Sequence, residues 1–289
     1  MDLPLRIGTR GSPLALVQAR MVADALKAAH GWADDAIALV PITTSGDLIQ
    51  DRPLAEVGGK ALWTRELDAC LIEGRTDMSV HSMKDVETIR PETLLIAAML
   101  ERADPSDRLI GADSLEALPD GARVGTSSPR RAAQLLARRP DLDIAEIRGN
   151  VETRLAKVER GEFDATLLAS AGLHRLGISA GVPLALLPAP AQGAIGVEIL
   201  AARHDLRATL DPIDHRPTHE AVDAERAFLA ALGGDCHSAV AALSTSGLLR
   251  AEILSADGSE VQAGEGDPAD LARRLLSQAS PALRAMFGR

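Results

Sequence analysis

The sequence predicts an α/β protein: two similar domains of parallel strands and covering helices, followed by a small α+β domain. Strand-like and helix-like segments alternate from residue 5 to residue 169, which is typical of parallel sheets. An internal echo supports two domains of one design, because a strand, then Gly-Thr, then Ser-Pro occurs near residues 6–13 and again near 123–129. The pattern changes after Thr218, and the remaining chain favours a small α+β domain.

The first half contains two helices among four strands. Ser12 is a suitable N-cap, Pro13 suits the first helical position, and Gly31 follows the end, so the first helix is expected over 13–30. Its apolar residues recur at helical spacing: Leu14, Val17, Met21, Ala25 and Leu26. The other predicted elements are strands at 5–8, 37–42 and 94–100, a helix at 63–73, and a short buried strand that starts at 76–79. The polar, glycine-containing stretch 43–60 is a candidate lid.

The second half repeats this alternation. Predicted strands lie at 123–126, 142–147, 165–169, 195–200 and 248–254, and predicted helices at 129–138, 151–160, 218–228 and 268–276. Asp267 is placed to cap the last helix.

Composition excludes several functions. Aromatic residues make up 2% of the chain and Tyr is absent, which disfavours single-strand nucleic-acid binding by stacking. A net charge of −10 disfavours a general affinity for nucleic acid or anionic membranes. No signal peptide or apolar run of transmembrane length is visible, so we expect a cytoplasmic protein. The two cysteines do not suggest a disulfide framework or a metal site.

Residues 80–86, with the sequence Val-His-Ser-Met-Lys-Asp-Val, follow a predicted buried strand. Ligands of open α/β sheets bind at the carboxyl ends of strands. Asp85 beside Lys84 is therefore a plausible site for handling protons and positive charge on a substrate. A solvated turn with an incidental ion pair explains the motif equally well when it is considered alone.

Arginines cluster at predicted strand-to-helix turns. An arginine at a helix N-terminus is unfavourable without an anion, so their repetition predicts a polyanionic ligand, and guanidinium matches carboxylate or phosphate. Because Walker A and Rossmann glycine motifs are absent, carboxylate-rich ligands fit better than nucleotides. Simple helix capping remains the alternative for either Ser-Pro turn alone. The arginines concerned are Arg10, Arg130, Arg131, Arg148, Arg154 and Arg175.

The two cysteines differ in context. Cys70 lies on the apolar stripe of a predicted helix and is expected in the core. Cys236 follows Gly233 and Gly234 and precedes His237, so it is predicted on a polar loop. It is a candidate nucleophile or covalent attachment point, and a free loop thiol is equally compatible.

Together these motifs resemble the porphobilinogen deaminase (hydroxymethylbilane synthase) family. The resemblance runs from Leu5 to Cys236, with a weaker C-terminal portion. Its motifs occur in the family's order at 6–16, 44–47, 57–60, 81–85, 101–105, 125–131, 148–151 and 191–194.

The resemblance implies three domains. Two are periplasmic-binding-protein-like with a cleft between them, at 1–97 with 192–213 and at 98–191. A small α+β domain at 214–289 carries Cys236, to which a dipyrromethane cofactor is attached by a thioether. The implied enzyme is a monomer. It condenses four porphobilinogen molecules head to tail, with loss of ammonia, into linear hydroxymethylbilane for haem and other tetrapyrrole biosynthesis.

The resemblance also implies site residues. Asp85 matches the catalytic carboxylate. The residues that match cofactor contacts are Lys60, Ser82, Lys84, Thr126, Ser127, Ser128, Arg130, Arg131, Arg148 and Cys236. The residues expected at the substrate are Arg10, Ser12, Trp63, Arg148, Arg154, Arg175 and Gln192. No metal is implied. The competing hypothesis is a non-enzymatic two-lobed anion-binding protein, which would need neither Asp85 nor Cys236.

Overall fold

Two five-stranded sheets with the same strand arrangement form the framework of the chain. The fold is a computed structural model that describes residues 3–44, 63–234 and 238–287. The first sheet has the order β2-β1-β3-β10-β4. Its strands are β1 (Leu5–Arg10), β2 (Ile37–Ile42), β3 (Met78–Ser82), β4 (Leu94–Met99) and β10 (Ile195–Leu200).

The second sheet has the order β7-β6-β8-β5-β9. Its strands are β5 (Asp107–Ile110), β6 (Arg123–Gly125), β7 (Asp143–Ala145), β8 (Ala165–Ala169) and β9 (Val182–Leu184). In both sheets three parallel strands are followed by a strand antiparallel to both of its neighbours, β10 in the first and β5 in the second. This repetition confirms two α/β domains of one design.

Helices cover the sheets and link their strands. In chain order they are α1 (Pro13–His30), α2 (Arg65–Ile72), α3 (Pro129–Arg138), α4 (Val151–Glu159), α5 (Ser170–Arg175), α6 (His204–Leu210), α7 (Arg216–Ala231), α8 (Pro268–Gln278) and α9 (Pro281–Arg284). Short 3-10 helices lie at Asp34–Ala36, Met83–Asp85 and Asp211–Ile213. Within the described ranges, no helix is both long enough and apolar enough to cross a membrane.

The predicted ends of α1 are confirmed. Ser12 accepts a hydrogen bond from the Ala15 backbone N–H at the start, and Gly31 adopts the left-handed conformation at the end. The helix predicted from the apolar spacing is confirmed, and the structure shows which of its faces is buried. The buried positions are Gln18, Ala19, Val22, Ala23 and Leu26, and Met21 is exposed. Of the apolar residues that indicated the helix, Leu26 is buried and Leu14, Val17 and Ala25 are half-buried.

A third, antiparallel sheet follows at the C-terminal end. It contains β11 (Val240–Thr245), β12 (Leu248–Leu254) and β13 (Val261–Gly266) in sequential order. Phe228, Ile253, Leu271 and Leu275 belong to its apolar core. Asp267 caps α8 by accepting from two backbone N–H groups, as predicted. The α+β prediction for this region is confirmed.

The chain divides into two compact units. One comprises Met1–Ala103 with Ala194–Glu220, and the other comprises Asp104–Gly193 with Ala221–Arg289. The third sheet belongs to the second unit. The three-domain division at 97/98, 191/192 and 213/214 stays a prediction, as does the cleft.

Candidate active site

The motif at 81–85 lies at the end of a central strand of the first sheet. β3 runs to Ser82, and the 3-10 helix Met83–Asp85 carries Asp85 away from the sheet. Met83 is fully buried, and its backbone N–H donates to the Ala194 carbonyl at 3.1 Å. Gly196 leaves room for it, since a Cβ at Gly196 would lie 2.1 Å from the Met83 sulfur. Local packing therefore fixes the turn that presents Asp85.

A pocket opens beside this turn within the first unit. Its lining includes Arg10, Gln18, Trp63, His81, Ser82 and Asp85. The Arg10 guanidinium carbon lies 3.9 Å from the centre of the Trp63 ring, a cation–π contact that fixes the guanidinium plane. The Ser82 hydroxyl lies 2.8 Å from Gln18 Nε2 and 3.0 Å from Gln18 Oε1. The structure thus brings together four predicted site residues, Arg10, Trp63, Ser82 and Asp85.

Asp85 is the carboxylate available to a ligand in this pocket. It is half-buried, and no side-chain hydrogen bond or ion pair joins it to another residue of the described ranges. Lys84, beside it on the same turn, is also half-buried. A carboxylate in this setting can stabilise a cation that forms transiently on a ligand.

His81 has a buried partner that the sequence did not indicate. Its Nε2 lies 3.1 Å from Glu198, a fully buried carboxylate on β10. Arg90 donates to both oxygens of Glu198, at 2.8 and 2.9 Å, and also binds Asp68 and Glu87. Burial alone would raise the pKa of Glu198, but His81 and Arg90 outweigh it and lower that pKa to about 2. This network supports β3 from behind the pocket.

Replacing Glu198 with Gln is expected to lower the free energy of unfolding near neutral pH by about 3 kcal/mol. The pKa of Glu198 is depressed in the folded state, so its stabilisation is complete above the ordinary value of 4.5 and is lost as pH falls through about 2. Urea unfolding should therefore show that the difference in free energy of unfolding between wild type and Glu198→Gln disappears as pH falls through this range. Glu87→Gln, which removes a more exposed partner of Arg90, is the control, and its free energy of unfolding should fall by less. A stability difference that does not change with pH would contradict the depressed pKa of Glu198.

The second unit holds another cluster of predicted site residues, around Asp107. Arg130 and Arg131, in the first turn of α3, donate to the two oxygens of Asp107 at 2.8 and 2.6 Å. Gln192 Nε2 donates to Asp107 at 2.9 Å and to the Pro105 carbonyl at 2.6 Å. All four side chains are buried. Burial would raise the pKa of Asp107, but Arg131 and Arg130 hold it well below its ordinary value.

The arginines were predicted at helix starts, and for Arg175 this prediction was wrong. Arg175 is the last residue of α5, where a cation is favourable, and it donates to the Gly193 carbonyl at 2.7 Å. Burial lowers the pKa of Arg175 to about 10. A bound carboxylate would offset the electrostatic cost of burying the Arg175 charge.

Arg148 and Arg154 flank the start of α4. Arg148 lies 3.4 Å from Glu146, and Arg154 Nε donates to the Gly149 carbonyl at 2.9 Å. Gly149 has φ of 109°, and a Cβ there would lie 2.6 Å from Thr153, so this turn requires glycine. These contacts therefore hold both arginine side chains in defined positions at this turn.

The hydroxyl residues at the two Ser-Pro turns have local roles. Ser12 and Ser128 cap α1 and α3, and Thr126 Oγ1 accepts from the Ser128 backbone N–H at 3.1 Å. Each of these oxygens acts as an acceptor, and none donates its proton to another described residue, so the proton is available to a ligand. Ser127 instead donates its proton to the Ile147 carbonyl. The expected donor role of Ser127 would require that bond to break.

Cys236, Lys60 and the candidate lid beyond Thr44 lie outside the described residues. Cys70 is buried at 1% exposure, as predicted, and burial raises the pKa of its thiol.

Sequence reasoning missed Gln18, Arg90, Asp107 and Glu198. Glu198 carried a signal, since it is a carboxylate within the apolar run Ile195–Leu200, and Gln18 is a polar residue on a buried helix face. Asp107 opens a strand of four residues, too short for a clear pattern.

Comparison with known proteins assigns the family. A family profile described as porphobilinogen deaminase, dipyrromethane cofactor binding domain, matches residues 5–208. The chain belongs to the porphobilinogen deaminase family. It is therefore an enzyme of tetrapyrrole biosynthesis, and it contains the domain that binds a dipyrromethane cofactor. The non-enzymatic alternative is not favoured.

Two relatives named porphobilinogen deaminase cover most of the chain. The protein of Sphingopyxis alaskensis is 57% identical, over 99% of this chain and 97% of its own length. The protein of Paracoccus denitrificans is 51% identical, over 91% of this chain and 87% of its own length. Among solved structures, immunogenic lipoprotein A from Vibrio vulnificus is similar with a TM-score of 0.44 and 11% identity, covering 77% of this chain and 99% of that one.

Proposed function

We propose that this chain condenses four porphobilinogen molecules head to tail into linear hydroxymethylbilane, with Asp85 as the catalytic carboxylate. The observation that supports this most is Asp85 itself: a carboxylate without a partner among the described residues, in a pocket with Arg10. The primer is a dipyrromethane joined to Cys236 by a thioether. We further propose that the enzyme acts as a cytoplasmic monomer and is organised in the three domains given above.

The residues of the second unit fit a carboxylate-bearing cofactor. Two buried guanidiniums, Arg130 and Arg131, share one directly bonded carboxylate, Asp107. The Nε atoms of Arg130, Arg131 and Arg175 are buried without a hydrogen-bond partner among the described residues. Buried donors of this kind are costly unless a ligand satisfies them. Each pyrrole unit of a dipyrromethane carries an acetate and a propionate that would do so.

When bound, the cofactor supplies a free pyrrole carbon as the first nucleophile. The protein holds and aligns the carboxylates of the growing chain with Arg10, Arg148, Arg154 and Arg175. Further hydrogen-bond donors are Ser12, Lys60, Lys84, Thr126 and Ser128. Ser82 and Ser127, which donate to Gln18 and to the Ile147 carbonyl, add theirs once those bonds are exchanged. Trp63 packs over the site. Gln192 supports the arginines of the second unit.

Asp85 acts on the incoming substrate. The aminomethyl C–N bond of porphobilinogen breaks, ammonia leaves, and a cationic azafulvene forms. The Asp85 carboxylate stabilises that cation. After the new C–C bond forms, Asp85 accepts the proton that the attacked pyrrole loses. Arg10, held on Trp63, keeps the substrate carboxylates apart from Asp85.

Purified protein incubated with porphobilinogen should release one ammonia for each porphobilinogen consumed and form a linear tetrapyrrole from four. Ammonia, residual substrate and the mass of the product can be measured in the same time course. Porphobilinogen binding without ammonia release would contradict the proposed function and favour an anion-binding protein.

A further inference from the structure

We propose that Asp107 is a positioning residue that sets Arg130, Arg131 and Gln192 for loading of the cofactor. This inference rests on the proposed function, since it concerns how the protein acquires its dipyrromethane. Asp107 does not touch the reacting atoms; it acts through the three side chains that it orients.

The first argument is geometric. Asp107 is fully buried at the start of β5, where its backbone pairs with Ala169 of β8 and Leu184 of β9. Its two oxygens receive one guanidinium each, at 2.8 Å from Arg130 and 2.6 Å from Arg131. A strand paired on both sides is a rigid base, so the carboxylate fixes both cations in one orientation.

The second argument is electrostatic. Two adjacent buried guanidiniums repel each other, and one carboxylate between them makes their proximity tolerable. Asp107 is the carboxylate that both guanidiniums contact directly, whereas Glu252 attracts Arg130 from beyond Gln134. Arg130 and Arg131 each keep a buried Nε without a partner in the described chain. Asp107 thus holds the pair together without saturating it.

The third argument is the link to the C-terminal sheet. Arg130 Nη1 also donates to Gln134, and Gln134 donates to Glu252 of β12 at 2.9 Å. A Cβ on Gly258 would lie 2.4 Å from the Ala137 nitrogen of α3, so the two backbones are in close contact there. Ala239, three residues after Cys236 in the sequence, packs against Ala133. Helix α3 therefore joins the Asp107 cluster to the sheet that follows the predicted attachment cysteine.

The test is cofactor loading, measured by the intact mass of purified protein. Wild type should carry the two-pyrrole adduct, whereas Asp107→Asn should be largely unmodified although folded by circular dichroism. Reloading of apoprotein by porphobilinogen should be about 100-fold slower in Asp107→Asn. The control is Asp77→Asn, which breaks another Asp–Arg pair, that with Arg6, and should load like wild type.

A second variant separates positioning from charge. Asp107→Glu keeps the counter-charge but moves the carboxylate by one methylene, so its loading should also be at least about 10-fold slower. If Asp107→Asn does not fold, the loading rate of Asp107→Glu alone tests whether Asp107 is a positioning residue. Loading at the wild-type rate in Asp107→Asn or Asp107→Glu would overturn the inference and leave the proposed function intact. An unmodified wild type would overturn both.

Discussion

Asp85→Asn is expected to lower kcat by about a thousandfold while leaving the fold intact. The amide keeps the size and polarity of the carboxylate but loses its charge and its ability to accept a proton. Both the cation formed by loss of ammonia and the protonated pyrrole formed by attack would then lack their stabilising group. Because no other described side chain relies on Asp85 for an ion pair, stability should change little.

Asp35→Asn is a matched control for this variant. Asp35 lies in the 3-10 helix Asp34–Ala36, as Asp85 lies in Met83–Asp85, but it is exposed and away from the pocket lining. Its kcat should equal that of wild type. Steady-state kinetics and thermal unfolding of both variants check the prediction. Turnover of Asp85→Asn within a few-fold of wild type would remove Asp85 from the catalytic role.

Cys236→Ser is expected to abolish turnover completely. A serine hydroxyl is far less nucleophilic than a thiol, so the variant should not form the covalent attachment and the chain should have no primer. The purified variant should have the mass of its sequence and give no colour with Ehrlich reagent.

Cys70→Ala is the matched control, because Cys70 is the other cysteine and is buried in the core. The elevated pKa of its thiol disfavours the reactive thiolate. This variant should keep the adduct on residue 236 at some cost in stability. An active, pigment-bearing Cys236→Ser protein would show that the cofactor is attached elsewhere.

Features determined by neighbours in the sequence could be predicted. The start of α1 depends on Ser12 and Pro13 and its end on Gly31, and all three act locally. The same holds for Asp267 at the start of α8. Strong local signals of this type specify element ends without knowledge of the tertiary fold.

Features determined by distant partners could not be predicted. Asp107 meets Gln192 across 85 residues of sequence, and His81 meets Glu198 across 117. The buried face of α1 also depends on distant residues, because Met21 and Val22 are both apolar but only Val22 packs into the core of the first sheet. The arginines were predicted to be a ligand-binding group, which stays a prediction, but the carboxylate that Arg130 and Arg131 share could be found only in the folded chain.

The most direct test of the account is the intact mass of the protein during limited turnover. Freshly purified wild type should exceed its sequence mass by two pyrrole units, and proteolysis should locate them on the peptide containing Cys236. Brief exposure to limiting porphobilinogen should add a ladder of up to four equal steps, each the mass of porphobilinogen less ammonia. Protein that stays at its sequence mass, without adduct or ladder, would contradict the account.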